Sequence, residues 1–174
     1  ERSIVRLAQL LDKGVPVKKI RDVRGTAYLC KIGEKTAFPV AENYKFLDRE
    51  PLHDSFDKDS DEPLPAGYSY DLLKTDREAY ADSFRVQYFQ NDSVHGKSIV
   101  EYYDKKMLVV NPPQPPLERE ELDEVYNIPF TRTYHPMYEK DGGVPAITEV
   151  RFSITHNRGC FGGCNFCAIA FHQG

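Results

Sequence analysis

Three of the four cysteines in this chain lie within eight residues of one another, at Cys160, Cys164 and Cys167. Thiolate sulfur is a soft ligand, and it is the usual protein ligand of iron in iron–sulfur clusters. A four-iron cluster has four irons to ligate, so three cysteines leave one iron open to an exchangeable ligand. The Cys-x3-Cys-x2-Cys spacing therefore predicts an iron–sulfur cluster held by these three side chains.

Glycines surround the cysteines, at Gly159, Gly162 and Gly163. Glycine adopts unusual backbone conformations at little steric cost, so the loop is able to turn tightly around a bound group. Amide groups exposed in such a turn donate hydrogen bonds to cluster sulfurs and tune the reduction potential. Phe166 directly precedes Cys167, and we expect its ring to shield the cluster from water.

A zinc site is the main alternative, with the three cysteines and either His156 or His172 as the four ligands. Structural zinc usually takes paired cysteine knuckles separated by about a dozen residues or more. This chain has one compact triplet and no second knuckle, which favours the iron–sulfur interpretation. The two histidines flank the loop and are candidates for hydrogen bonds near a cluster.

The remaining candidate residues indicate no further chemistry. Cys30 lies in the apolar run Ala27–Lys31 and is predicted to be a buried structural thiol, with a role as fourth metal ligand as the weaker alternative. No Ser/His/Asp set and no carboxylate pair is indicated by spacing. The sequence therefore assigns no catalytic side chain.

The composition limits the class of protein. The chain has 174 residues, of which 40% are hydrophobic and 29% charged, and this balance is typical of a globular protein. The net charge of −4 does not indicate a nucleic-acid partner. The sequence has neither an apolar run of about 18 residues nor a secretory signal, so we expect no membrane span, reduced thiols and a cytoplasmic location. The first residue is not Met, which suggests an excised piece of a longer protein.

Hydrophobic periodicity predicts short helices and small strand pairs before the cysteine loop. The helix around residue 80 begins with a capping box from Thr75 to Glu78, and its aromatic stripe of Tyr80, Phe84 and Tyr88 is predicted to lie in the core. Pro39 confines the second strand to a sheet edge. The predicted helices cover 2–13, 75–90 and 117–126, and the predicted strands cover 27–31, 35–40, 97–103, 106–110 and 146–155.

The run Asn111–Pro116 contains four prolines, which cannot join a sheet and favour an extended conformation. We interpret it as a semi-rigid linker and place a domain boundary there. The alternative is a non-catalytic interaction module, in which this run and the acidic segment 42–62 bind a partner.

The motif Cys160-x-x-x-Cys164-x-Phe166-Cys167 at the end of a predicted strand resembles the cluster motif of radical S-adenosylmethionine (radical SAM) enzymes. The run from Arg151 through the cysteines resembles the YgiQ-type subfamily of these enzymes. Further stretches resemble the same subfamily, and they are residues 1–5, 22–26, 76–80, 111–116 and 171–174. The resemblance thus covers nearly the whole chain.

This resemblance implies a cofactor pair and a reaction. Cys160, Cys164 and Cys167 would hold a 4Fe-4S cluster whose open iron binds S-adenosylmethionine, with Phe166 beside the cofactor. The reduced cluster would cleave S-adenosylmethionine to a 5′-deoxyadenosyl radical that abstracts hydrogen from a substrate, which stays unknown. A reductant protein such as flavodoxin or ferredoxin is the implied partner.

The predicted elements and the resemblance together imply a mixed fold, α+β leading into α/β. An irregular connecting region of short helices and small strand pairs precedes the first strand and cysteine loop of a truncated (β/α) barrel. Residues 1–14 are expected to be the last helix of an upstream Rossmann-like domain. Residues 15–110 form a small α+β connecting region, 111–146 a Pro-rich linker with a short helix and hinge, and 147–174 the start of the barrel. Since a barrel needs about 200 residues, we expect the chain alone to be inactive.

Overall fold

The computed structural model describes residues 2–45, 64–157, 159–164 and 166–169. The chain divides into two compact units, Glu1–Pro115 and Pro116–Gly174, called here the first and the second unit. His172 and most of the acidic segment, from residue 46 onward, lie outside the described residues. Within the described ranges, no helix has both the length and the apolar character that crossing a bilayer requires.

In its described residues, the first unit combines three helices with a four-stranded sheet. The predicted N-terminal helix is confirmed, and Gly14 follows its end with a φ of +75°, a conformation that glycine permits. A single 3-10 turn, Val17–Lys19, leads toward the sheet. The helices are α1 (Arg2–Asp12), α2 (Tyr70–Thr75) and α3 (Arg77–Gln90), and the strands are β1 (Ala27–Lys31), β2 (Tyr68–Ser69), β3 (Ile99–Tyr103) and β4 (Lys106–Val110).

The strands lie in the order β1-β4-β3-β2. Strands β3 and β4 form the predicted antiparallel pair around Asp104, whose φ of +47° is tolerated because aspartate is one of the few residues found in left-handed turns. Strand β1 pairs antiparallel with β4, and the short β2 pairs parallel with β3. The sheet therefore joins residues 27–31 to residues 106–110, which are far away in the chain.

The predicted strand over 35–40 is wrong. In this segment the structure has only an isolated bridge between Val40 and Ser98. The strand that pairs with β1 is β4 instead. Pro39 also lacks the N–H group that a continuous ladder requires.

Two clusters of buried side chains stabilise the first unit. One lies on the sheet and consists of Cys30, Val100, Tyr102, Met107 and Val109. The other joins α3 to residues near β2 and consists of Ala41, Tyr44, Tyr68 and Val86. Cys30 therefore has the core position that the sequence predicted for it.

Helix α3 buries a different face from the one predicted. Its aromatic residues Tyr80, Phe84 and Tyr88 are exposed by 63%, 59% and 58% of their surfaces, so their prediction as core residues is wrong. The buried face consists of Ala79, Asp82, Ser83 and Val86. These side chains are small or hydrogen-bonded, which lets the helix approach its neighbours closely.

The first turn of α3 also differs in detail from the predicted capping box. Asp76, not Thr75, is the N-cap, and its carboxylate accepts hydrogen bonds from the amides of Glu78 and Ala79 at 2.9 and 3.0 Å. Thr75 ends α2, and its hydroxyl donates to the carbonyls of that helix. Aspartate at an N-cap satisfies amides that have no partner inside the helix.

The first part of the proline run is hydrogen-bonded to the turn before β1. The side-chain amide of Asn111 donates to the carbonyls of Arg21 and Val23 at 2.8 and 3.0 Å. The amide of Gly25 donates to the carbonyl of Pro112 at 2.8 Å. This part of the run is thus held within the first unit.

The second unit contains α4 (Arg119–Tyr126), a 3-10 helix over Pro136–Asp141 and α5 (Ile147–Val150). Helix α4 is the helix predicted over 117–126. Its N-terminus has a reciprocal cap, in which the amide of Glu118 donates to the carboxylate of Glu121 at 2.9 Å.

The predicted strand over 146–155 is wrong. Residues 147–150 form α5, which begins with local hydrogen bonds from Ile147 N to Val144 O and from Thr148 N to Pro145 O. Residues 153–157 have no regular secondary structure. A strand needs a neighbouring strand for its N–H and C=O groups, and the described residues of the second unit include none.

Candidate metal centre

The cysteine loop lies on the surface of the second unit. Cys160 and Cys164 are exposed, Cys167 is partly buried, and all three are free thiols. Gly159 has a φ of +77°, in the left-handed region where glycine avoids the strain of other residues. The chain therefore bends directly before Cys160, whereas a tight turn around a bound group stays a prediction.

The sulfur atoms of Cys160 and Cys164 both lie close to Gly162. Its amide donates a hydrogen bond to the Cys160 sulfur at 3.3 Å. A Cβ atom built at this position would lie 3.4 Å from the Cys160 sulfur and 3.8 Å from the Cys164 sulfur. Glycine therefore leaves open a small space that both sulfurs border, and a side chain would fill it.

The third cysteine is linked to the motif through the backbone. The amide of Cys167 donates to the carbonyl of Cys164 at 3.1 Å. Among the described residues, no three His, Cys, Asp or Glu side chains are gathered closely enough to hold a metal ion. Three thiols and the open space at Gly162 fit a soft metal. The Cys167 sulfur would have to move toward the other two sulfurs when the metal binds, because metal sites often form only on binding.

The aromatic and histidine candidates lie on the surface. The Phe166 side chain is 91% exposed, so the predicted shielding contact stays a prediction. His156 is also exposed, and it forms no hydrogen bond with any other described residue.

Cys30 differs from the three loop cysteines in its surroundings. It is 6% exposed, and its thiol donates to the carbonyl of Met107 at 3.8 Å. Burial raises the pKa of the Cys30 thiol, which disfavours the thiolate that a metal would need. The structure therefore gives Cys30 the properties of a core residue and not those of a fourth ligand.

A groove in the second unit was missed by the sequence analysis. Residues 131–133 and 151–154 line it, and two of them are arginines, Arg132 and Arg151. No motif or spacing links these two segments along the chain. The only available signal was that each segment has an arginine within two residues of a hydroxyl side chain.

Comparison with known proteins matches the whole chain to one group of relatives. The family model described as "Radical SAM N-terminal" matches residues 1–153. A UPF0313 protein of Clostridium botulinum strain 657 is 42% identical over 174 residues, and another from strain Okra is 44% identical. A UPF0313 protein of Clostridium perfringens strain ATCC 13124 is 41% identical over the same length.

Each of these alignments covers 100% of this chain and 23% of the relative, so the chain spans about a quarter of the length of these proteins. The family model ends before Cys160, whereas the UPF0313 relatives align through the cysteine loop. No solved structure matches the chain significantly.

Proposed function

Because the chain belongs to the radical SAM N-terminal family, of the YgiQ/UPF0313 type, we propose that it contributes the cluster-binding loop of a radical SAM enzyme. The observation that supports this most directly is the set of three free thiols at Cys160, Cys164 and Cys167. Two of their sulfurs border the same open space at Gly162. Soft sulfur donors at this spacing suit a 4Fe-4S cluster.

In this proposal Cys160, Cys164 and Cys167 would hold the cluster, and S-adenosylmethionine would bind beside it. When bound and reduced, the cluster would supply the one electron needed to cleave S-adenosylmethionine into methionine and a 5′-deoxyadenosyl radical. The substrate that loses hydrogen to this radical is not indicated by any residue in the chain.

In this proposal, other residues of the loop donate hydrogen bonds to the ligand sulfurs and shield the cofactor from water. The Gly162 amide already donates to the Cys160 sulfur, and the same hydrogen bond would tune the electron density on that ligand. Phe166 is exposed, and its ring would pack over the cofactor and exclude water.

We propose a domain organisation that rests on the same family membership. Residues 1–14 would be the last helix of an upstream Rossmann-like domain, and the exposure of Ile4, Val5 and Leu11 supports packing of α1 against a further domain. Residues 15–110 would be the connecting region and 111–146 the linker, helix and hinge. Residues 147–174 would be the start of the (β/α) barrel. The enzyme would work in the cytoplasm with a reductant such as flavodoxin or ferredoxin.

Anaerobic reconstitution with iron and sulfide tests the metal site. We expect about four irons and four sulfides per chain, and their loss in variants that replace Cys160, Cys164 or Cys167 by Ala. Cys30→Ser is the matched control, because its thiol lies in the core, and it should retain the cluster. One zinc per chain and no sulfide would contradict the proposal and support the zinc alternative. Formation of 5′-deoxyadenosine by the full-length protein then tests the reaction.

A further inference from the structure

The groove between residues 131–133 and 151–154 has the composition of an anion-binding site. It has a volume of about 560 Å³ and lies entirely within the second unit. Its polar lining consists of two arginines and three hydroxyl residues, and it contains no acidic residue. We call it the arginine groove.

Among the described residues, no carboxylate pairs with the arginines of the arginine groove. Neither Arg132 nor Arg151 forms an ion pair with any residue that the structure describes. The second unit has eight acidic residues against five basic ones, so carboxylates are plentiful in its sequence. Two guanidinium groups that share one groove repel each other, and an anion bound between them would replace this repulsion by attraction.

The two arginines differ from ordinary surface arginines in backbone conformation and in aromatic contact. Arg132 has a φ of +57°, a conformation that is uncommon for residues other than glycine and that clusters at active sites, ligand clamps and switch regions. The guanidinium carbon of Arg151 lies 5.8 Å from the centroid of the Phe152 ring, within the range of a cation–π contact. Phe152 itself is 90% exposed and presents a ring face beside the groove.

The hydroxyl groups add further donors. Thr131 donates weakly to the carbonyl of Thr133 at 3.5 Å. The hydroxyls of Thr133 and Ser153 make no hydrogen bond with any of the described residues. Each can donate one hydrogen bond to a ligand, in addition to the several donors of each guanidinium.

We propose that the arginine groove binds the phosphate group of a small molecule. A phosphate offers more acceptor oxygens than a carboxylate, and its tetrahedral arrangement suits donors that approach from two arginines and two hydroxyls. Arginine forms paired hydrogen bonds to phosphate that are stronger than those between neutral groups. The lining of the site includes none of the cysteines of the proposed cluster.

Titration calorimetry of the full-length protein without metal, at constant low chloride, tests the site with two probes. One probe is inorganic phosphate and the other is adenosine monophosphate. We expect the protein to bind both, and Arg132→Ala or Arg151→Ala to weaken phosphate binding about tenfold or more. Arg132→Lys keeps the charge but not the paired hydrogen bonds, so its affinity should fall between those of wild type and Arg132→Ala.

Arg119→Ala is the matched control. Arg119 lies on α4 outside the groove, is exposed and pairs loosely with Asp123 at 3.9 Å, so its loss should leave phosphate binding unchanged. Circular dichroism of each variant separates loss of binding from loss of fold. Tighter binding of adenosine monophosphate would identify a nucleotide source that uses Phe152 for stacking, and equal affinities would identify free phosphate.

The absence of phosphate binding by the wild-type protein would overturn the proposal. Equal losses in Arg119→Ala and Arg132→Ala would do the same, because they would show a general charge effect. Neither result would bear on the cysteine loop, whose test is metal content.

Discussion

Gly162 lies where an added Cβ atom would contact two of the loop sulfurs at once. The Cys160 and Cys164 sulfurs lie 3.4 and 3.8 Å from the place where a Cβ atom would be added. The neighbouring Gly163 has nothing within 4 Å of the equivalent position. Two adjacent glycines of one loop therefore differ sharply in what a methyl group would contact.

We predict that Gly162→Ala lowers the affinity of the loop for its metal about tenfold, because the methyl group would occupy the space that the two sulfurs border. Gly163→Ala is the control and should bind metal as the wild type does. Iron and sulfide content after anaerobic reconstitution at limiting iron measures the difference. Equal cluster content in the two variants would show that this space has no role in binding.

Cysteines in the same chain have opposite environments at the residue scale. On β1, Cys30 is buried between the exposed residues Leu29 and Lys31, and this burial raises the pKa of its thiol. The loop cysteines are surrounded by glycines and lie at the surface. Both environments were predictable, because strand periodicity and glycine content are local properties of the sequence.

At the scale of the element, α3 shows why an apolar stripe does not by itself define a core. The face with Tyr80, Phe84 and Tyr88 has the helical spacing of a buried stripe, yet it is exposed. The opposite face is buried through Val86, at 0% exposure, and through the carboxylate of Asp82. The hydrogen bonds of Asp82 need partners from other segments, and these partners orient the helix.

We predict that Phe84→Ala changes the free energy of unfolding by no more than about 0.5 kcal/mol, because the ring is mostly exposed. Val86→Ala should cost about 2 kcal/mol, because it leaves a cavity in a packed cluster. Urea unfolding followed by circular dichroism measures both. A larger loss of unfolding free energy for Phe84→Ala than for Val86→Ala would show that the aromatic face of α3, and not the Val86 face, is buried.

At the scale of the whole molecule, Asp82 joins segments that are distant along the chain. Its carboxylate accepts hydrogen bonds from the amide of Lys45, the hydroxyl of Tyr68 and the guanidinium of Arg85, at 2.7 to 2.8 Å. Burial by itself would raise the pKa of Asp82, but these hydrogen bonds outweigh burial and hold the pKa below its usual value.

A lowered pKa in the folded state makes stability depend on pH. The contribution of ionised Asp82 is fully present above the unfolded pKa of about 3.9 and is lost as pH falls through the folded pKa. We therefore predict that the melting temperature decreases steeply below about pH 4. Asp82→Asn should lower the free energy of unfolding by about 1–3 kcal/mol at neutral pH and flatten this acid dependence.

Thermal unfolding between neutral pH and about pH 3 measures the effect of Asp82. Asp104→Asn is the control, because Asp104 lies in the exposed turn between β3 and β4, where asparagine also tolerates a positive φ. It should retain the wild-type pH dependence. If the melting temperature of Asp82→Asn decreased with acid as that of Asp104→Asn does, Asp82 would not be the source of the acid dependence.

Much of the fold and of the candidate site was predictable from local patterns. The cysteine spacing and its flanking residues led to the radical SAM superfamily and the YgiQ type, and the family match confirms that assignment. The strand pair around Asp104, the helices α1 and α4, and the burial of Cys30 were also predicted correctly. Periodicity and turn chemistry act over a few residues, so they are readable without knowledge of the neighbours.

Other features depend on contacts between distant segments. Residues 106–110, and not the adjacent 35–40, pair with β1, and hydrogen bonds from Lys45 and Tyr68 to Asp82 orient the buried face of α3. The arginine groove joins residues 131–133 to 151–154 without any sequence motif. In each case several segments have a similar local pattern, and contacts that form only in the tertiary structure decide which of them pair. Local sequence patterns do not contain that information.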